Sequence, residues 1–203
     1  MEIIGRVVLY NLSSTRTNLE LEDLENVADE LNIPMSILPN ADPITISKIR
    51  KSLKRVFKQC FGIDIRKNGG VVFIPLARTY QWDILKRLFI STETADILEF
   101  DICEDNKLLV SQCFDRYMKD FFYEEAPTLL DKDGKFKLPR VRIDVMNCLG
   151  MRFKYMLDMI DAYSKILGEK CEYEDKIKQL YTSLQVAIEK RMEEIEEERL
   201  YGY

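Results

Sequence analysis

The chain of 203 residues contains no histidine. Ser-His-Asp triads, Cys-His dyads and imidazole proton shuttles are therefore excluded, because no side chain with an ordinary pKa near neutrality remains. Catalysis would have to rest on carboxylates, a lysine, a tyrosine or bound Mg²⁺. The five cysteines, Cys60, Cys103, Cys113, Cys148 and Cys171, are odd in number and widely spaced, and none forms a C-x-x-C pair. Tetrahedral zinc usually takes ligand pairs a few residues apart, often completed by histidine, so no such centre is expected. Each cysteine reads as a small buried apolar residue in a reducing compartment.

Two short acidic patterns could hold a cation. Asp105-Asn106-Lys107 matches the D/E-x-K half of a nuclease signature in which a carboxylate holds Mg²⁺ beside a lysine, and Glu99, Asp101 and Glu104 lie close in sequence. A wet strand face followed by a helix cap accounts for the same residues more simply. Asp131-Lys132-Asp133-Gly134 hints at a calcium loop. With Gly134 in the sixth position, however, the first and twelfth ligand positions fall on Leu129 and Arg140, so a turn is expected there. Neither G-x-x-x-x-G-K-[ST] nor G-x-G-x-x-G occurs, and no cofactor or metal is expected.

The strongest charge feature is a helix expected over residues 47–60, beginning at Ser47. On a helical wheel Ile49, Leu53, Val56, Phe57 and Cys60 share one face, while Arg50, Lys51, Lys54, Arg55 and Lys58 gather opposite. Arg66 and Lys67 follow in a turn. Such a helix can lie against phosphates, since each cation neutralises backbone charge and releases counterions. The competing expectation is a solvated face, or one paired with Glu20, Glu22, Asp23, Glu25, Asp29 and Glu30 of a preceding helix, in a chain whose net charge is −5. An acidic protein surface or an anionic membrane would also fit the basic face.

The elements that must position these residues can be read from burial patterns. Val7-Val8-Leu9-Tyr10 and Val71-Val72-Phe73-Ile74 are apolar at every position, so both faces of those strands should be covered. Ile63-Asp64-Ile65-Arg66 and Leu98-Glu99-Phe100-Asp101-Ile102 alternate, with one buried and one wet face. Asn68-Gly69 suits a tight hairpin turn between the second and third strands. Helices are expected over residues 19–31, capped by Thr17 or Asn18, with a stripe of Leu21, Leu24, Val27, Ala28 and Leu31. Another should start at Thr79, with Ile84, Leu85, Leu88 and Phe89 facing inward. Pro34 and Pro39 mark a loop, and Pro75 closes the third strand.

The resulting fold class is α+β: an N-terminal ferredoxin-like βα(α)ββαβ sheet domain over residues 1–104, packed on a C-terminal helical region over residues 105–203. That fold places its first and third strands centrally, as the two fully apolar runs require. In the helical region Val110, Phe114, Tyr117, Met118 and Phe121 form one stripe, and Leu149, Phe153, Met156, Ile160, Tyr163 and Leu167 another. Gly168 suits a helix end. A final helix from about Glu172 to Leu200, with Ile177, Leu180, Tyr181, Leu184, Ile188, Met192 and Ile195, should complete a long antiparallel hairpin. Its last turns, Glu193 to Arg199, carry little apolar surface.

The sheet resembles an RNA-recognition motif through Val8-Leu9-Tyr10-Asn11-Leu12 and Gly70-Val71-Val72-Phe73-Ile74. Base stacking needs exposed aromatics, and only Phe73 stands where one would be used. The N-terminal half also resembles an uncharacterised family of phage-encoded proteins, in Ile4-Gly5-Arg6-Val7-Val8-Leu9-Tyr10, the segment from Leu31-Asn32-Ile33-Pro34 to Leu38-Pro39, and Gly69-Gly70-Val71-Val72-Phe73-Ile74-Pro75 followed by Arg78. The resemblance covers about the first ninety residues and implies a viral or mobile-element origin, with no catalytic residues.

The functional expectation is a non-enzymatic accessory protein that binds nucleic acid through Arg50, Lys51, Lys54, Arg55, Lys58, Arg66 and Lys67. The alternative is a protein-interaction module, a host-factor inhibitor or scaffold acting through the helical hairpin. A metal-dependent nuclease comes last. With no apolar run long enough for a bilayer and no signal-peptide pattern at the start, a cytoplasmic monomer or homodimer is expected, in the host cytoplasm if viral.

Overall fold

A computed structural model describes residues 2–12, 22, 25–26, 29–30, 45–66, 70–91, 95–130, 136 and 143–201. Two compact units divide the chain, Met1–Cys113 and Phe114–Tyr203.

The first unit is built on four strands: β1 (Ile3–Leu12), β2 (Ile63–Asp64), β3 (Val71–Pro75) and β4 (Ala95–Cys103). They lie in the order β2-β3-β1-β4, and each neighbouring pair is antiparallel. This is the ferredoxin-like order, with the fully apolar strands β1 and β3 in the middle. Val7, Val8, Val72, Phe73 and Ile74 are buried, although they point alternately to opposite faces. One face carries helices α1 (Ile46–Gln59) and α2 (Thr79–Ser91). Its core joins Val8, Leu12, Val72 and Ile74 to Ile49, Leu53, Val56 and Phe57 of α1 and to Trp82, Ile84 and Leu85 of α2. On the other face Gly5 is required by close approach. A Cβ there would stand 2.5 Å from the Ile74 carbonyl oxygen and 2.5 Å from the Phe73 ring.

Helix α1 starts one residue before the expected Ser47. Thr45 is its N-cap, and its hydroxyl accepts from the Lys48 amide at 3.3 Å. The far end closes as a Schellman motif. The Phe61 amide donates to the Lys58 carbonyl at 3.0 Å, and the Gly62 amide donates to the Phe57 carbonyl at 2.7 Å. The left-handed position falls on Phe61 (φ 54°), where glycine is usual. Phe61 is buried, and the Arg78 guanidinium lies 4.3 Å from its ring centroid, so packing holds a backbone that glycine would adopt freely.

Strand β4 corrects the sequence reading of its faces. Leu98 and Phe100 were expected inside and Glu99 and Asp101 in water, yet Leu98 and Phe100 are 63% and 55% exposed while the Glu99 side chain is only 18% exposed. The register explains this. Glu99 is paired with Val8 and Asp101 with Arg6, so both carboxylates share the helix-covered face.

Of the helix expected over residues 19–31, Glu22, Glu25, Asn26, Asp29 and Glu30 are helical and exposed; its apolar stripe lies outside the described residues. So do the turn at Lys67, Asn68 and Gly69, the segment holding Pro34 and Pro39, and the turn from Asp131 to Lys135. Gly70, at φ +82°, closes the hairpin onto β3.

Helix α3 (Lys107–Asp120) runs across the boundary between the units. In the second unit it ends in a π-helical turn, Phe121–Glu125, followed by a 3₁₀ turn at Ala126–Leu129. Helices α4 (Ile143–Leu167) and α5 (Glu174–Tyr201) come next. Residues 147–154 of α4 lie across from residues 181–189 of α5, so the pair is antiparallel. Gly168, at φ +74°, ends α4 as its position suggested. Phe153, Met156, Ile160, Tyr163, Ile177 and Leu184 are buried as expected, and Phe114 stacks on Tyr163 with ring centroids 4.4 Å apart. Tyr173 and Met159 join that core without having been singled out. Cysteines 60, 113 and 171 are buried, but Cys148 is exposed, against expectation. Among the described residues no helix is long and apolar enough to cross a membrane.

Candidate nucleic-acid interface

Five of the seven cations expected at the interface lie on α1. Arg50, Lys51, Lys54, Arg55 and Lys58 are all exposed, and Ile49, Ser52, Leu53, Val56 and Phe57 are buried beneath them. At ~1.5 Å rise per residue, the five span about 12 Å of helix. The sheet face under α1 fixes which way they point, because rotating the helix would expose four large apolar side chains.

Tyr10 links this helix to the β2–β3 hairpin. Its amide donates to the Gly70 carbonyl at 3.0 Å, and its ring packs on Phe57 with centroids 5.3 Å apart. Burial raises the pKa of its hydroxyl and Asp64 raises it further, while the Gly70 backbone and Arg50 oppose the shift. The Tyr10 hydroxyl therefore senses both α1 and the start of the hairpin. Arg66 is exposed in the bend just beyond Asp64. Arg50 lies near the start of α1 and Lys58 in its last turn. Lys67 lies outside the described residues. The five cations on α1 form a stripe along the helix.

Of the acidic helix expected to pair with these cations, Glu20 and Asp23 lie outside the described residues, and Glu30 contacts α2. Arg87 Nη2 of α2 donates to Glu30 Oε1 at 3.2 Å. The expected stacking residue of an RNA-recognition sheet, Phe73, is wholly buried and cannot receive a base. Asp105 and Asn106 of the nuclease half-signature fall in the turn that leads into α3, a turn with no side-chain cap hydrogen bond, so neither the metal site nor the simple helix cap is seen as expected. Glu104–Asn106 make a 3₁₀ turn before α3, and Lys107 Nζ pairs with Glu104 Oε1 at 2.6 Å. Among the described residues no group of His, Cys, Asp or Glu side chains is placed to hold a metal ion.

A second charged cluster was not foreseen. Arg6, Asp83, Lys86, Glu99 and Asp101 line a polar cleft of about 350 Å³. Arg6 Nη1 lies 2.6 Å from Asp83 Oδ1 and 3.6 Å from Glu99 Oε1, and Arg6 Nε lies 3.4 Å from Asp101 Oδ1. Glu99 also accepts from Lys86 Nζ and from Trp82 Nε1. Burial alone would raise the Glu99 pKa. The Lys86 and Trp82 donors, with the charges of Lys86 and Arg6, overcome it and hold the carboxyl below its usual range. The cluster satisfies its own charges, so it reads as a positioning network for α2 on the sheet. The single tryptophan, three residues before Leu85, was the available signal that α2 carries an inward polar handle.

No family model matches the chain, and neither does any curated protein or solved structure.

Proposed function

We propose that the chain is a non-enzymatic accessory protein of a phage or other mobile element, holding nucleic acid against the basic face of α1. The observation that carries this reading is the exposure of Arg50, Lys51, Lys54, Arg55 and Lys58 on a helix whose opposite face is locked into the core. Arg66, exposed in the bend after β2, and Lys67 beside it in sequence are the further cations this reading would recruit. Cations spread along an exposed helix face suit contact to phosphate, which carries no sequence information, so the reading expects binding that is largely insensitive to sequence. A net charge of −5 repels the polyanion elsewhere and leaves α1 as the surface of approach.

A mobility-shift series over salt tests it. Engagement of roughly three to five phosphates gives a slope of log K against log salt of about −3 to −5 on duplex DNA. Reversal of Lys51, Lys54 and Lys58 to Glu should weaken binding at least about tenfold and flatten the slope by about three. Absence of any shift with DNA or RNA at low salt overturns the proposal.

A second reading, docking of a protein on the helical hairpin, is favoured by one observation. A cleft of about 480 Å³ between α4 and α5 is lined by Met151, Tyr181 and Ile188, and Met151 and Val186 are mostly exposed. Truncation is a poor test, because Ile177 and Leu184 of α5 are fully buried. Met151→Asp and Val186→Asp leave the core intact. Retention of a host protein by the wild type but not by these variants, with DNA binding absent, would favour this reading.

A further inference from the structure

We infer that the acidic end of α5 docks on the basic face of α1 of a second copy of this chain. Beyond Leu184 no residue of α5 through Glu197 is buried. Over that stretch Glu189, Glu193, Glu194, Glu196 and Glu197 are exposed, and Arg191 Nη1 is engaged by Glu194 Oε2 at 3.0 Å. The two helices repeat charge with one period. Glu189, Glu193 and Glu197 stand at i, i+4 and i+8 on α5, and Arg50, Lys54 and Lys58 stand at i, i+4 and i+8 on α1. Each triplet covers about 12 Å, with its members about 6 Å apart along the axis. Two helices laid side by side can therefore oppose three carboxylates to three cations in one register.

Two chains of net charge −5 repel each other at a distance. Within a Debye length of about 10 Å, however, the local patches set the interaction. Exposed ion pairs contribute little individually and are screened by salt, so the association is weak and salt-labile. It uses the face on which a polyanion would compete, yet it stands on the two complementary helices and not on nucleic-acid binding.

Sedimentation equilibrium of the full chain tests it without any nucleic acid. At about 50 mM salt the average mass should rise with concentration above the 23.9 kDa monomer, and at about 500 mM it should return to it. Reversing Glu189, Glu193 and Glu197 to Lys should raise the apparent Kd at least tenfold, as should reversing Arg50, Lys54 and Lys58 to Glu. Both reversals in one chain should restore association. A chain that stays monomeric at low salt overturns the inference. So does association that survives either single-side reversal, or a salt response independent of concentration, which would place the contact within one chain.

Discussion

At the scale of single residues, Glu99 carries a charge inside a structure that would otherwise exclude it. Its side chain is 18% exposed and is bound by Lys86 and Trp82, with Arg6 nearby. Because its folded pKa is lowered, the stability it contributes is present above the unfolded carboxylate value, about 4.3 for Glu, and is lost as pH falls through the folded value. Glu99→Gln should cost about 1–3 kcal/mol near neutrality, because it removes the charged acceptor that Lys86 and Trp82 share and leaves Asp83 and Asp101 to balance Arg6 and Lys86. The gap between wild type and variant should close as pH drops below about 4.3. Asp83 and Asp101 face the same cations in both proteins. Urea midpoints across that range check this; a gap that does not change with pH would sink the assignment. None of this was legible in the chain. Glu99 sits in an alternating strand, and alternation reports that one face is wet without saying which. The partners that decide the matter, Arg6 and Lys86, come from elements distant in sequence.

At the scale of elements, the central strands were legible for a physical reason. Val7-Val8 and Val72-Phe73-Ile74 have no polar position to turn toward water, so they admit no edge placement. The face of α1 was legible too, since five apolar positions at helical spacing oppose five cations. Its ends were less so. The cap is Thr45, and the left-handed exit falls on Phe61 instead of a glycine, because burial of that ring beneath Arg78 outweighs the backbone preference. Thr45→Ala should lower stability by about 1 kcal/mol through the loss of the acceptor for the Lys48 amide. The urea midpoint should fall with the slope unchanged, since the surface exposed on unfolding is the same. A changed slope would mean that the cap does more than close the first turn.

At the scale of the whole molecule, net charge and local charge point in opposite directions. A pI near 5.1 says that the protein should be repelled by a polyanion at neutral pH. Yet five cations sit within about 12 Å along α1, a length comparable to the Debye length of about 10 Å at 0.1 M salt, so a surface approaching that face meets a positive potential before it meets the average. The same chain should therefore be retained at pH 7 and low salt on both an anion exchanger and a phosphate-bearing cation exchanger. Reversal of Lys51, Lys54 and Lys58 to Glu should abolish only the second retention, and the shift should far exceed the effect of reversing three lysines elsewhere on the surface, such as Lys165, Lys176 and Lys178. If both triple variants elute alike, the response belongs to net charge and α1 is an ordinary solvated face. If they differ, the face is electrostatically distinct, as both proposed ligands, a polyanion and the acidic end of α5, require.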